Sequence, residues 1–442
     1  MAPPNCCSPS PLPLIQFLVG ILSAVLLTFP RPASAGGCFK SVISFGDSIA
    51  DTGNFCKLTP VGSMCSPPYG ETFFHRPTGR SSDGRLIIDF IAEYLGLPLV
   101  PPYYGGNQTE FGTGVNFAVV GATAVASDVL VNRGIGYMAT NVSLGVQLEL
   151  FKKLLPSLCG SSDAVSGCSN LFNTSLFLLG EIGGNDYNYA LGLKMTTARI
   201  QELVPLVVNS IASALQEIIK LGATTILVPG NFPIGCIPYI LTNFQSSNPQ
   251  DYDSSTGCLI LLNQLAELHN EQLQIELNRS RQLHPHANII YVDYYNAMMR
   301  IYASPKRFGF TGGVLKACCE GGGGGGGGSI LGGGPSMRPC GEPSTYVNWD
   351  GIHFTEATYR LIAKAVAEEG LFTSPAFNLS SSSSSSSCVR GVNGNGRNST
   401  FPDRDSLPNR GVGLIVQPAA AMVLVNLLFL VVVGGMITGG KL

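Results

Sequence analysis

The chain holds five histidines, His75, His269, His284, His286 and His353, and only the last has a carboxylate placed to orient it. In Trp349-Asp350-Gly351-Ile352-His353 the glycine lets Asp350 fold back and accept from the imidazole Nδ1. That fixes the tautomer and leaves Nε2 free to take a proton, the orienter-and-base relation of hydrolytic triads. His269 falls on the apolar stripe of a helix, as a packed or rim residue; His284 and His286 read as loop punctuation, and His75 has no carboxylate beside it. A hydroxyl for such a base is available in Gly46-Asp47-Ser48. Ser48 is expected just past a buried strand and at the start of a helix, with its Oγ exposed and its N–H at the positive helix end. A serine there is also an ordinary helix cap, and the G-x-S-x-G elbow is absent from this region. Two further stretches bring donors to strand ends. Gly180-Glu181-Ile182-Gly183-Gly184-Asn185-Asp186 aims the Asn185 amide into the same cleft, and Gly114 to Ala124 offers a backbone N–H, with Gly121 past the strand.

Bringing these groups together requires a scaffold, and the chain alternates strand-like and helix-like stretches. Ser41 to Phe45, Leu176 to Leu179, Thr224 to Val228 and Ile289 to Val292 read as short buried strands. Leu259, Leu262, Ala266, Leu273 and Leu277 mark one face of a helix, and Leu86 to Leu95 and Thr355 to Glu369 read as others. The alternation predicts a single α/β domain over 36–377, a parallel sheet covered by helices on both faces. Gly321 to Gly328 reads as a surface loop; it lacks the Lys-Ser/Thr that a phosphate-binding loop needs.

Composition narrows the class. Lys and Arg number 26 against 28 Asp and Glu in 442 residues, a net charge of -2 that leaves no basic footprint for nucleic acid. Apolar residues make up 45%, which excludes disorder throughout. Residues 1–35 carry an apolar run ending in Ala33-Ser34-Ala35 and read as a secretory signal peptide without a basic n-region. N-x-S/T sequons at Asn107, Asn141, Asn173, Asn278, Asn378 and Asn398 agree with export and glycosylation. So do the close pairs Cys56/Cys65, Cys159/Cys168 and Cys236/Cys258, which suggest disulfide-closed loops. Of 13 cysteines, 11 follow the signal, so one is left unpaired or joins another chain. None has C-x-x-C spacing, and no metal or other cofactor is expected. Residues 378–411 read as a Ser/Gly-rich linker expected to be disordered, and 412–442 as a hydrophobic tail. That tail fits a GPI-attachment signal, a transmembrane helix or a gene-model extension.

Phe45-Gly46-Asp47-Ser48 with Asp51-Thr52-Gly53-Asn54 resembles the first block of the GDSL, or SGNH, esterase/lipase family. Gly114 to Ala124, Gly183 to Asp186, and Asp350 with His353 resemble its later blocks, in family order. Arg80 to Arg85, Pro233 to Pro238 and Cys318-Cys319 are similar to the plant branch, and the resemblance covers about residues 38 to 375. It implies a three-layer α/β/α, flavodoxin-like SGNH-hydrolase fold and hydrolysis of small-molecule or lipid esters. It further implies Ser48 as nucleophile, His353 as base, Asp350 as its partner, and an oxyanion hole of the Ser48 N–H, the Gly121 N–H and the Asn185 amide. The expected setting is secreted or extracellular, with membrane attachment through the tail. An acyltransferase using the same acyl-enzyme, or a non-catalytic surface glycoprotein, are the alternatives.

Overall fold

The structure, a computed structural model, describes residues 39–106, 108–136, 138–159, 168–319 and 338–379. The expected signal peptide, the linker beyond residue 379, the hydrophobic tail, the eight-glycine run, Asn107 and Asn398 lie outside the described residues.

The strands, in chain order, are β1 (Ser41–Phe45), β2 (Gly114–Asn116), β3 (Ser175–Leu179), β4 (Thr225–Pro229), β5 (Asn288–Val292), β6 (Gly313–Ala317), β7 (Tyr346–Asn348) and β8 (Thr373–Ser374). The longer helices are α1 (Ile87–Tyr94), α2 (Leu144–Cys159), α3 (Gly184–Gly192), α4 (Val204–Leu221), α5 (Ile260–Leu283), α6 (Tyr294–Ala303) and α7 (Glu356–Ala363). One sheet has the order β2-β1-β3-β4-β5-β8, parallel from β2 to β5, with Ser41 opposite Ser175 and Phe45 opposite Leu179. The short edge strand β8 runs antiparallel to β5, a departure from the wholly parallel sheet expected. It follows α7 and the helical turn at Lys364–Glu368 through Gly370 and Phe372, both at positive φ.

Side-chain alternation accounts for helices on both faces. Ile43, Phe45, Phe177, Leu179, Ile226 and Val228 join one apolar cluster with Phe151 of α2, Ile211 of α4 and Leu273 of α5. The intervening Ser44, Leu178, Leu227 and Val292 face Ile87 and Ile91 of α1 and Val366. A strand buried on both sides is apolar throughout, and β1, β3 and β4 are buried at every position. Each fully buried Phe, Leu or Ile contributes roughly 1.5–3 kcal/mol relative to exposure.

A second, two-stranded sheet of β6 and β7 was not apparent in the sequence. It carries the loop holding Asp350 and His353, which is closed by Trp349 N–H donating to the His353 carbonyl at 2.8 Å. Behind that loop the Cys318 and Cys319 N–H groups donate to the Asn348 and Trp349 carbonyls. The disulfides Cys56–Cys65, Cys159–Cys168 and Cys236–Cys258 form as expected, joined by Cys318–Cys340; among the described residues Cys319 is free and buried. Asn141, Asn173 and Asn278 are exposed and Asn378 is half-buried.

Candidate active site

With β2 and β3 on either side of β1, successive connections leave β1 in opposite directions, and the crevice at the carboxyl ends of β1 and β3 is where ligands enter such sheets. Ser48 follows β1 and Asn185 follows β3.

Ser48 does not start a helix, as the sequence had suggested. It lies in a turn, 48–50, and the next helical residue is Asn54. The chain turns here because Asp47 and Asp51 satisfy the local backbone. Ile49 N–H donates to Asp47 Oδ1, while Gly53, Asn54, Phe55 and Val120 N–H groups all donate to the Asp51 carboxylate at 2.6–3.0 Å. Ser48 therefore does not stand at the positive end of a helix, although its N–H has no acceptor among the described residues. Gln147 of α2 grips the end of β1 with a reciprocal pair, Gly46 N–H to Oε1 at 2.9 Å and Nε2 to the Gly46 carbonyl at 2.8 Å.

Two asparagines join the first block to the glycine block. Asn54 Nδ2 donates to the Asn116 and Ala118 carbonyls, each at 2.8 Å, and Asn116 Nδ2 donates to the Ala50 carbonyl and Thr52 Oγ1. This lays residues 117–122 beside the Ser48 turn, with Val119 N–H donating to the Gly46 carbonyl. The Gly121 carbonyl accepts from Tyr189 Oη at 2.9 Å, whereas its N–H has no acceptor among the described residues.

Asn185 stands in the first turn of α3, whose cap Gly183 has φ 108°. A Cβ there would come within 2.6 Å of Val207 Cγ1, so only glycine suits both the conformation and the space. Asn185 Nδ2 donates to Asp47 Oδ2 and to the Ala122 carbonyl, both at 3.0 Å. The neighbouring Asp186 accepts from the Ala124 and Val125 N–H groups, tying the glycine block to α3.

Asp350 and His353 form a buried ion pair, Nδ1 to Oδ2 at 2.7 Å. Oδ2 also accepts from Tyr69 Oη at 2.7 Å, and Oδ1 from the Ile352 and His353 N–H groups. Burial works to raise the Asp350 pKa, but the His353 charge, the His353 side chain and the His353 and Ile352 N–H groups outweigh it and bring it down to about 2. Burial likewise works to lower the His353 pKa, and the charges of Asp350 and Asp47 overcome it, so the imidazole is raised. His269 is packed: its Nδ1 lies 2.8 Å from Tyr187 Oη, and burial lowers it to about 3.

A shallow cleft gathers Ser48 and Asn185 with Ile352 and Phe354, the two neighbours of His353. No hydrogen bond joins Ser48 Oγ to His353. The floor holds a buried carboxyl pair, Asp47 and Glu181: burial raises both, the Glu181 charge raises Asp47 further, and the Asp186 charge raises Glu181 against a hydrogen bond to Asp47 that lowers it. Tyr69, Gln147, Glu181 and Asn231, another wall residue, were not singled out from the sequence. Glu181 and Asn231 each sit just past a strand, a signal that would have found them; Tyr69 has none. Among the described residues no group of three or more His, Cys, Asp and Glu is placed to hold a metal ion.

The model of the GDSL-like lipase/acylhydrolase family matches residues 42–366. The chain is similar to several proteins of Arabidopsis thaliana. It is 51% identical to the GDSL esterase/lipase At1g28580 over 376 residues, 84% of this chain and 95% of that one. It is 51% identical to At1g28590 over 377 residues, 84% and 93%, and 50% identical to At1g28600 over 371 residues, 83% and 92%.

Proposed function

Because this chain belongs to the GDSL-like lipase/acylhydrolase family, we propose that it hydrolyses carboxylic esters with Ser48 as nucleophile, His353 as general base and then acid, and Asp350 as the orienting carboxylate. The observation that carries this reading is the cleft wall, where Ser48 and Asn185 meet the loop in which Asp350 grips His353 Nδ1. Ser48 Oγ attacks the ester carbonyl and gives its proton to His353 Nε2. The imidazolium then protonates the departing alcohol, and water repeats the sequence on the acyl-enzyme. The negative charge on the carbonyl oxygen is met by the Ser48 and Gly121 N–H groups, which have no other acceptor among the described residues, and by the Asn185 amide, which exchanges its bond to Asp47 for the oxyanion. Asp350, held ionised by four donors, stabilises the imidazolium without taking its proton.

The same reading makes the protein a secreted glycoprotein, led by residues 1–35, with glycans on sequons such as the exposed Asn141 and Asn173. The apolar 412–442 segment serves as a membrane attachment, and release from intact cells by a phosphatidylinositol-specific phospholipase separates a lipid anchor from a helix.

Ser48→Ala is the direct test. The variant is expected to be secreted and folded, to lose p-nitrophenyl ester hydrolysis, and to lose labelling by a fluorophosphonate probe. Full activity in the folded variant overturns the assignment.

A further inference from the structure

Asn231 lies on the wall of the same cleft as Ser48 and Asn185, just beyond the carboxyl end of β4. Its backbone is clamped on both sides by one side chain of α5. The Asn231 N–H donates to Asn270 Oδ1 at 2.7 Å, and its carbonyl accepts from Asn270 Nδ2 at 3.0 Å. The next residue, Phe232, packs against Phe354 with ring centroids 4.9 Å apart, and Tyr239 N–H donates to the Gly351 carbonyl at 2.8 Å. The Asn231 segment is thus joined to the loop that carries His353.

The Asn231 side chain, by contrast, is 2% exposed, and its Nδ2 has no acceptor among the described residues. Its Oδ1 lies against the first turn of α3: a Cβ built on Gly184 would be 3.4 Å from it and 2.9 Å from Glu181 Oε1. The amide therefore sits beside Asn185 and the carboxyl floor of the cleft. Buried amide donors are almost always paired, because removing one from water without replacing its acceptor costs stability. An orphan on the wall of a cleft, with a rigid backbone, is preorganised for an acceptor on a bound molecule.

We propose that Asn231 is a substrate-positioning and specificity residue whose Nδ2 donates to an oxygen of the ester other than the reacting carbonyl. The preferred substrate then carries a hydrogen-bond acceptor (an ether, hydroxyl or second ester oxygen) close to the scissile bond, as acylated polyols do, rather than a plain alkyl chain. The inference rests on the hydrolase reading above. It divides the labour of the cleft: the Ser48 and Gly121 N–H groups and Asn185 serve the carbonyl, the apolar Phe232, Ile352 and Phe354 enclose the chain, and Asn231 reads its polarity. A site built to hydrogen-bond a substrate group discriminates against the analogue lacking it, since the donor is then left unpaired.

The test uses two isosteric pairs in which one methylene is exchanged for oxygen. p-Nitrophenyl methoxyacetate against p-nitrophenyl butanoate probes the acyl side, and 2-methoxyethyl acetate against butyl acetate probes the alcohol side. Each kcat/KM is divided by the rate constant for hydroxide hydrolysis of the same ester. The full-length enzyme is expected to favour the oxygen-bearing member of one pair by about tenfold, a hydrogen bond's worth of discrimination. In Asn231→Ala that ratio collapses to within about twofold of one. The pair that responds identifies the side of the ester that Asn231 reads. A preference that survives Asn231→Ala, or a variant that loses all four substrates in equal proportion, overturns the proposal. Should the variant not fold, the native enzyme still decides, because ratios near one in both pairs overturn it. A native enzyme inactive on all four esters overturns the hydrolase reading and this inference with it.

Discussion

Tyr69 Oη and Asp350 Oδ2 are 2.7 Å apart across 281 positions of sequence, and the same carboxylate oxygen accepts from His353 Nδ1. Tyr69 is 1% exposed, and its ring packs edge-on against Trp349, whose centroid is 5.9 Å away. The tyrosine thus holds the rotamer of the carboxylate that accepts from the imidazole.

Loss of that hydroxyl leaves Asp350 with one donor fewer and makes it a stronger partner for the imidazolium. His353 must be neutral to accept a proton, so activity is lost as pH falls through its raised pKa. Tyr69→Phe is expected to lower kcat about tenfold and move the acidic limb of the kcat/KM profile to higher pH. Asp350→Asn is expected to lower kcat by about 10⁴. An acidic limb unmoved in Tyr69→Phe would remove the tyrosine from the mechanism.

Asn185 holds Asp47 and the Ala122 carbonyl with its amide in the free enzyme. With that amide as the proposed oxyanion donor, Asn185→Ala is expected to lower kcat by about 10²–10³ with little change in KM. Steady-state kinetics on one p-nitrophenyl ester measure this. A loss confined to KM would assign Asn185 to ground-state binding instead.

Stability should peak in mild acid. Burial raises Asp51 to about 6 and Glu181 and Asp186 to about 7, against unfolded values near 4. Between those limits the folded chain binds more protons than the unfolded one, so stability falls as pH rises from about 4 to about 7. Asp350, down to about 2, acts in the opposite sense, and its contribution is lost as pH falls below about 4. Calorimetry is expected to give a higher Tm at pH 5 than at pH 8; the reverse order contradicts this account of the buried carboxyls.

Cys319 is buried next to the Asp350 loop, and burial, with the charges of Asp350 and Glu71, pushes its thiol up to about 12. It should behave as packing, not as a reactive thiol. Iodoacetamide followed by peptide mass spectrometry is expected to leave Cys319 unmodified in the native protein and to alkylate it fully after denaturation. Rapid native alkylation would show that the loop opens.

The sheet was legible because its strands are short, mostly buried and rich in apolar residues: β1, β3, β4 and β5 appear in the sequence to within a residue of where they lie. Helix α5 was legible for the same reason, as Leu262, Ala266, Leu273 and Leu277 repeat at helical spacing on its buried face. The small β6–β7 sheet and the antiparallel β8 were not, since strands of two to five residues, half-exposed in β6 and β8, are too short to leave a periodic signal. The turn at Ser48 was misread as a helix start because Asp47 and Asp51 are equally good at capping helices and at closing turns; only the Val120 N–H, arriving from another block, shows which.

What the sequence determined by itself is local: the strands, the apolar helix faces, and the Asp350–His353 pair, whose partners lie three residues apart in a short loop. What the tertiary structure decided is every relation across distance, such as Tyr69 upon Asp350, Gln147 upon Gly46, Asn54 upon Asn116, and the solitary amide of Asn231 in the cleft wall. Hydrophobic periodicity records which residues are buried, but a hydrogen bond between remote segments depends on directions that exist only once the sheet has brought their ends together.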